Sequence, residues 1–174
     1  MACEVTAGRL EPCKTVGGLK NIYIIPFESA AYAGITTDAN GIITAFAPAM
    51  TAFKWEVRGA NTFDETGESS KENGTTFYTI AGAAQIKAQD GIAREELDAI
   101  AKGLHFVMTE GYDGKYKIYG LEDGCEISIS TASGASMGDF NGYNLTVSGN
   151  STELARFVNI PASGLTFSAN YLTI

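Results

Sequence analysis

Apolar and polar residues alternate along much of this chain with a period of two. Ala52 to Arg58 (AFKWEVR) sets Phe53, Trp55 and Val57 on one side and Lys54, Glu56 and Arg58 on the other, which marks a half-buried strand. Lys115 to Tyr119 alternates in the same way, and Leu19 to Phe27 (LKNIYIIPF) is a strand dense in β-branched and aromatic residues. Further strands are predicted at Ile42 to Phe46, Thr76 to Ala88, Leu104 to Thr109, Cys125 to Ser130, Tyr143 to Ser148, Leu165 to Phe167 and Tyr171 to Ile174. Gly82, inside one of them, reads as a bulge. Turn signals separate them: Asp38-Ala39-Asn40-Gly41, the Asp113-Gly114 step, Glu122-Asp123-Gly124 and the small-residue loop Thr131 to Gly138.

One segment has a helical period. Asp90 or Gly91 caps a helix over 91–102, Ile92, Leu97, Ile100 and Ala101 form its apolar stripe, and Gly103 stops it. Glu95 and Glu96 then lie near the positive end of its dipole and Lys102 at the negative end. Such a helix packs against a sheet. Two segments show neither period. Residues 1–18 are glycine-dotted and read as an extended arm. Gly59 to Thr75 is polar, holds Asp64, Glu65, Glu68, Lys71 and Glu72, and reads as a loop too long for a tight hairpin turn.

The pattern predicts a mainly β protein, a sandwich or barrel-like sheet with one flanking α-helix. Its organisation is an arm at 1–18, a domain at 19–158 that holds the loop 59–75 and the helix 91–102, and a C-terminal strand or arm at 159–174.

Composition supports a single domain with a sizeable core: 174 residues, 45% of them hydrophobic, with 20 glycines and four prolines. The formal net charge is −8 and no run of lysine or arginine occurs, so sequence-specific nucleic-acid binding is not expected. No apolar run is long enough to span a bilayer, and the start has no signal-peptide pattern, so no membrane is expected as a partner. Of the three cysteines, Cys3 and Cys13 are close enough in sequence to pair across a turn. Cys125 is left over, and no CxxC spacing suggests zinc.

Chemistry finds no foothold. His105 is the only histidine and falls in a predicted strand. The adjacent carboxylates Asp64 and Glu65, Glu95 and Glu96, and Glu122 and Asp123 do not read as catalytic pairs, because neighbours on a strand face opposite ways. Asp139-Phe140-Asn141-Gly142 lacks the spacing of a calcium loop, and Gly17-Gly18 precedes a strand instead of a helix. Neither catalysis nor a cofactor or metal is expected.

Two segments point further. Residues 2–27 (ACEVTAGRLEPCKTVGGLKNIYIIPF) run a cysteine-bearing arm through a Gly-Gly step into an aromatic strand. Residues 115–149 (KYKIYGLEDGCEISISTASGASMGDFNGYNLTVSG) run from a strand and an acidic turn through a small-residue loop to MGD-x-NGY and another strand. Together they resemble virion structural proteins from phages of Bacteroidota. The order of parts is similar to that of the tail tube proteins of tailed bacteriophages.

That resemblance implies a structural subunit that assembles with itself into stacked, hexameric rings around a channel for DNA. The other partners it implies are tail proteins on the initiator or baseplate side and on the terminator side. Phage DNA would pass without specific binding. The protein would be assembled in the host cytoplasm and end in the virion tail. An acidic wall would repel the DNA backbone and let it slide. In such a subunit the arm and the long loop clasp neighbours, which makes Leu10, Cys13, Lys14 and Leu19, with Asp64, Glu65, Glu68 and Lys71, the expected inter-subunit contacts. A tail terminator, a neck protein, a capsid decoration protein and a β-sandwich binding module are the alternatives.

Overall fold

The computed structural model describes residues 7–11, 13–57 and 59–168. Strand accounts for 55% of the described residues and helix for 9%, so the mainly β expectation holds. The strands are β1 (Leu19–Pro26), β2 (Thr36–Thr37), β3 (Ile43–Glu56), β4 (Thr62–Ser70), β5 (Thr75–Lys87), β6 (Leu104–Gly111), β7 (Tyr116–Tyr119), β8 (Cys125–Ala132), β9 (Gly142–Ser151) and β10 (Arg156–Phe167). The helices are α1 (Ala30–Ala33), a single turn the sequence did not announce, and α2 (Gly91–Ile100).

Five strands close on themselves. Ile22 of β1 faces Trp55 of β3 on one edge and Thr109 of β6 on the other. The pairings β3 with β10, β10 with β7 and β7 with β6 complete a small barrel. Because β7 is short, the far end of β6 is free to pair with β8 at Leu104↔Glu126 and His105↔Cys125. There a second layer leaves the barrel: β8, β9, β5 and β4, antiparallel throughout.

This branching explains why β1 and β6 are apolar on both sides. Tyr23, Ile25, Phe106 and Met108 point into the barrel with Ile43, Phe46, Ile118, Val158 and Leu165. Ile22, Ile24 and Val107 point outward into a second core under the four-stranded layer, with Ile80, Ile127, Leu145, Val147 and Leu97 of α2. A side-chain period of two thus feeds two cores from one strand. Each fully buried side chain of this size contributes about 1.5–3 kcal/mol over its exposed state.

Several boundaries differ from the expectation. The two strands expected at Ile42–Phe46 and Ala52–Arg58 merge into one, β3, which ends at Glu56 and runs through Pro48; Arg58 lies outside the described residues. Gly82 is not a bulge, since the pairings of β5 with β4 and β9 pass through it without a shift in register. The C-terminal segment is not separable at 159, because β10 starts at Arg156 and forms a barrel stave up to Phe167; the strand expected at 171–174 lies outside the described residues. The helix ends at Ile100 instead of 102. Asp90 caps it by accepting the N–H groups of Ile92 (2.9 Å) and Ala93 (2.7 Å). With that start, Glu95 and Glu96 fall beyond the first turn, and Lys102 lies past the end, paired with Asp98 at 2.5 Å.

The largest correction concerns 59–75. It is no loop: β4 pairs with β5 from Thr62↔Ala83 to Ser70↔Thr75, closed by a turn at 71–74 with Gly74 at φ +63°. β4 ends the layer and is wetted on most of its surface, so it lacks the apolar alternation that marks a half-buried strand.

Candidate assembly interface

The expected contact residues separate into three environments. Leu10, Cys13 and Lys14 lie in the part of the arm that is described, exposed and outside any strand. Leu19 is not in the arm; it is half-buried at the start of β1, paired with Gly111. Cys3 lies outside the described residues, and with it the choice of a Cys3–Cys13 pairing. Lys71 is exposed in the turn of the hairpin, and Asp64 and Glu68 project from the outward face of β4.

Glu65 points the other way. Its side chain is 6% exposed beneath the sheet, where it accepts the N–H of Ala155 at 2.7 Å and lies 3.6 Å from the Lys117 ammonium. Lys117 in turn stands 5.3 Å from the ring centre of Phe157. Glu65 therefore ties the hairpin to its own barrel, and the expectation that it meets a neighbouring subunit is corrected. Phe63, two residues before on the same face, packs on Tyr119 with ring centres 5.3 Å apart.

The outward face of the four-stranded layer is the most distinctive surface. Alternation places Ser128 and Ser130 of β8, Thr146, Ser148 and Asn150 of β9, Ala81 and Ala83 of β5, and Asp64 and Thr66 of β4 on it, all exposed. Gln85 and Asn144 are bonded across it, with Nε2 donating to Oδ1 at 3.2 Å. Most of its side chains are short hydroxyls, amides and methyls; the exception is Phe77 of β5, exposed opposite Glu68 toward the tip of the hairpin. The charges on it are the carboxylates Asp64, Glu68 and Glu126, against Lys87 at one end.

The layer also has two free edges. Among the described residues no strand pairs with the outer edge of β4, and none pairs with β8 beyond the short contact with β6. Since β8, β9, β5 and β4 alternate in direction, β8 and β4 run opposite to one another. A second copy with its β8 laid against β4 continues the antiparallel order.

The groups sequence reading set aside for chemistry are engaged structurally. His105 is buried, with Nε2 2.9 Å from the carbonyl oxygen of Ile100 at the end of α2. Cys125 is buried beside it, and desolvation, with the Glu65 carboxylate adding to it, pushes its thiol up to about 12. Asp139 accepts the N–H groups of Ala135 and Ser136, each at 2.8 Å, and so shapes the loop after β8. Tyr116 and Tyr119 lie on opposite faces of β7 and each packs against a core. Among the described residues no group of three or more His, Cys, Asp or Glu is placed to hold a metal ion, and no helix is long and apolar enough to cross a membrane.

Sequence reasoning missed β4 as an edge and the shared face of β8, β9 and β5. The signal was present in the serine and threonine alternation of Cys125–Ser130 and Tyr143–Ser148. Compared with models of protein families, with curated proteins and with solved structures, the chain matches none.

Proposed function

We propose that this protein is a structural subunit that assembles with itself, in the manner of a phage tail tube protein, into rings walled by the β8–β9–β5–β4 layer. The observation that carries this reading is the layer itself: four antiparallel strands, free along β4 and along β8 beyond its short contact with β6, with a largely polar face whose carboxylates outnumber its single lysine. Joining β4 of one copy to β8 of the next is a head-to-tail contact, which closes into a ring when the rotation per copy allows it. Backbone hydrogen bonds supply the joint, as in other strand additions. The polar face then lines the channel. Short uncharged side chains offer a polyanion nothing to bind, and Asp64, Glu68 and Glu126 repel it, so DNA slides through without sticking.

Cysteine pairs test the joint. Thr66 or Glu68 is changed to Cys together with Ser128 or Ser130, in a chain whose Cys3 and Cys13 are serine. Within one copy the two positions stand three strand spacings apart, about 14 Å, too far for a disulfide. Oxidation should give a ladder of covalent oligomers for at least one pair. Monomer alone for every pair would contradict the joint.

One observation favours a second reading. Glu65, a charge turned inward on an edge strand, is a device by which proteins keep edges from pairing. An unpaired β4 suits a capsid decoration protein or a binding module. That reading predicts monomers at every concentration.

A further inference from the structure

We propose that Gly18 and Tyr112 form a joint that sets the direction in which the N-terminal arm leaves the barrel, making Tyr112 a positioning residue for contact with a second copy. The contact itself rests on the assembly reading above; the joint does not.

The chain passes from free to fully held at one residue. Before it, the described arm is exposed, with Leu10 at 93% and Val16 at 68%. After it, β1 is paired on both edges, and the Lys20 ammonium lies 3.1 Å from Glu110. Gly18 stands between, at φ +101°, a backbone conformation glycine adopts freely and other residues rarely do. Its carbonyl accepts the N–H of Tyr112 at 3.2 Å. The Tyr112 ring lies against the other side of the residue, with Cδ2 3.3 Å from the place a Cβ on Gly18 would take.

Tyr112 is itself firmly mounted. It rides on the β6–β7 turn, which is closed by the Gly114 N–H to the Gly111 carbonyl and the Gly111 N–H to the Lys115 carbonyl, each at 3.0 Å. Asp113 Oδ1 accepts the Lys115 N–H at 3.2 Å. Yet the residue is 59% exposed and belongs to neither core. Its packing partner on this side is the root of the arm. A large aromatic ring on a braced turn, laid over a glycine, blocks part of the range through which the arm would otherwise swing. An arm held in one direction presents Leu10 and Val16 to a neighbour with less ordering to be done on contact.

Spin labels at Val16→Cys and Asn150→Cys, in a chain with Cys3 and Cys13 changed to Ser and diluted into unlabelled protein, measure the joint by their distance distribution. The parent and Tyr112→Phe should share one narrow distribution. Tyr112→Ala, which removes an exposed ring and leaves both cores intact, should broaden or shift it, as should Gly18→Ala. An unchanged distribution in Tyr112→Ala overturns the joint. Deleting residues 2–17 separates the two ideas. If that deletion still forms tubes, the arm's part in assembly fails while the distance result stands. If it abolishes tubes and the distances do not respond to Tyr112, the arm matters and the joint does not.

Discussion

The ring of Phe63 occupies the space that a side chain on Gly82 would fill: a Cβ there would stand 2.6 Å from the ring's Cε1 and Cζ. The two residues face each other across the β4–β5 hairpin, and Gly67 faces Tyr78 four rungs along in the same way, with a Cβ 2.9 Å from Cε1. Glycines on the inner face thus admit aromatic rings that hold an otherwise wetted hairpin to the sheet.

Gly82→Ala should therefore destabilise the fold by about 1–3 kcal/mol, as overpacking does. Urea unfolding measures it. The double change Gly82→Ala with Phe63→Leu should cost less than the two single changes added together, because the methyl then has room.

Glu65→Ala removes the acceptor of a half-buried backbone N–H and the partner of Lys117, so a loss of about 1–3 kcal/mol is expected. Glu65→Gln keeps an acceptor for Ala155 and should lose less. Hydrogen exchange at Ala155 reports the local effect: protection should fall in Glu65→Ala and persist in Glu65→Gln.

Asp90 accepts two backbone N–H groups at the start of α2. Asp90→Ala should cost about 1 kcal/mol by urea unfolding, while Asp90→Asn or Asp90→Ser should recover most of it.

Acid should loosen the joint between β1 and β6. Burial alone would raise the pKa of Glu110, but bonds from Asn21 (2.6 Å), Tyr23 (2.8 Å) and Lys20 (3.1 Å) outweigh it and hold the carboxyl below its ordinary value of 4.5. A depressed carboxylate contributes stability that is present above its unfolded pKa and lost as pH falls through the folded one. Unfolding free energy of the parent should therefore drop more steeply below about pH 4.5 than that of Glu110→Gln, which is already weaker at neutral pH. Equal slopes for the two proteins would contradict this role for Glu110.

Much of this architecture is legible in the residues, and where it is not the reason is physical. The alternation around Trp55 and the cap at Asp90 lead directly to β3 and α2, although Phe53 is exposed and Val57 lies just past the end of the strand. Where a strand contacts solvent on most of its surface, as β4 does, burial leaves no imprint on the pattern, and Asp64, Glu65 and Glu68 look like loop residues. β10 is hidden for another reason: Pro161 and Gly164 interrupt its run, and its parallel partner β3 is more than a hundred residues away in sequence. The face of Ser128, Thr146 and Asn150 exists only once the register of β8, β9 and β5 is known. Glu65 parts from Asp64 and Glu68 because it shares a face with Phe63.

Electron microscopy of the purified protein over a range of concentrations tests the central claim most directly. Rings or hollow tubes of uniform width are expected, with walls built from β8–β9–β5–β4 layers joined edge to edge. Monomers at every concentration, with β4 and β8 still unpaired, would contradict it.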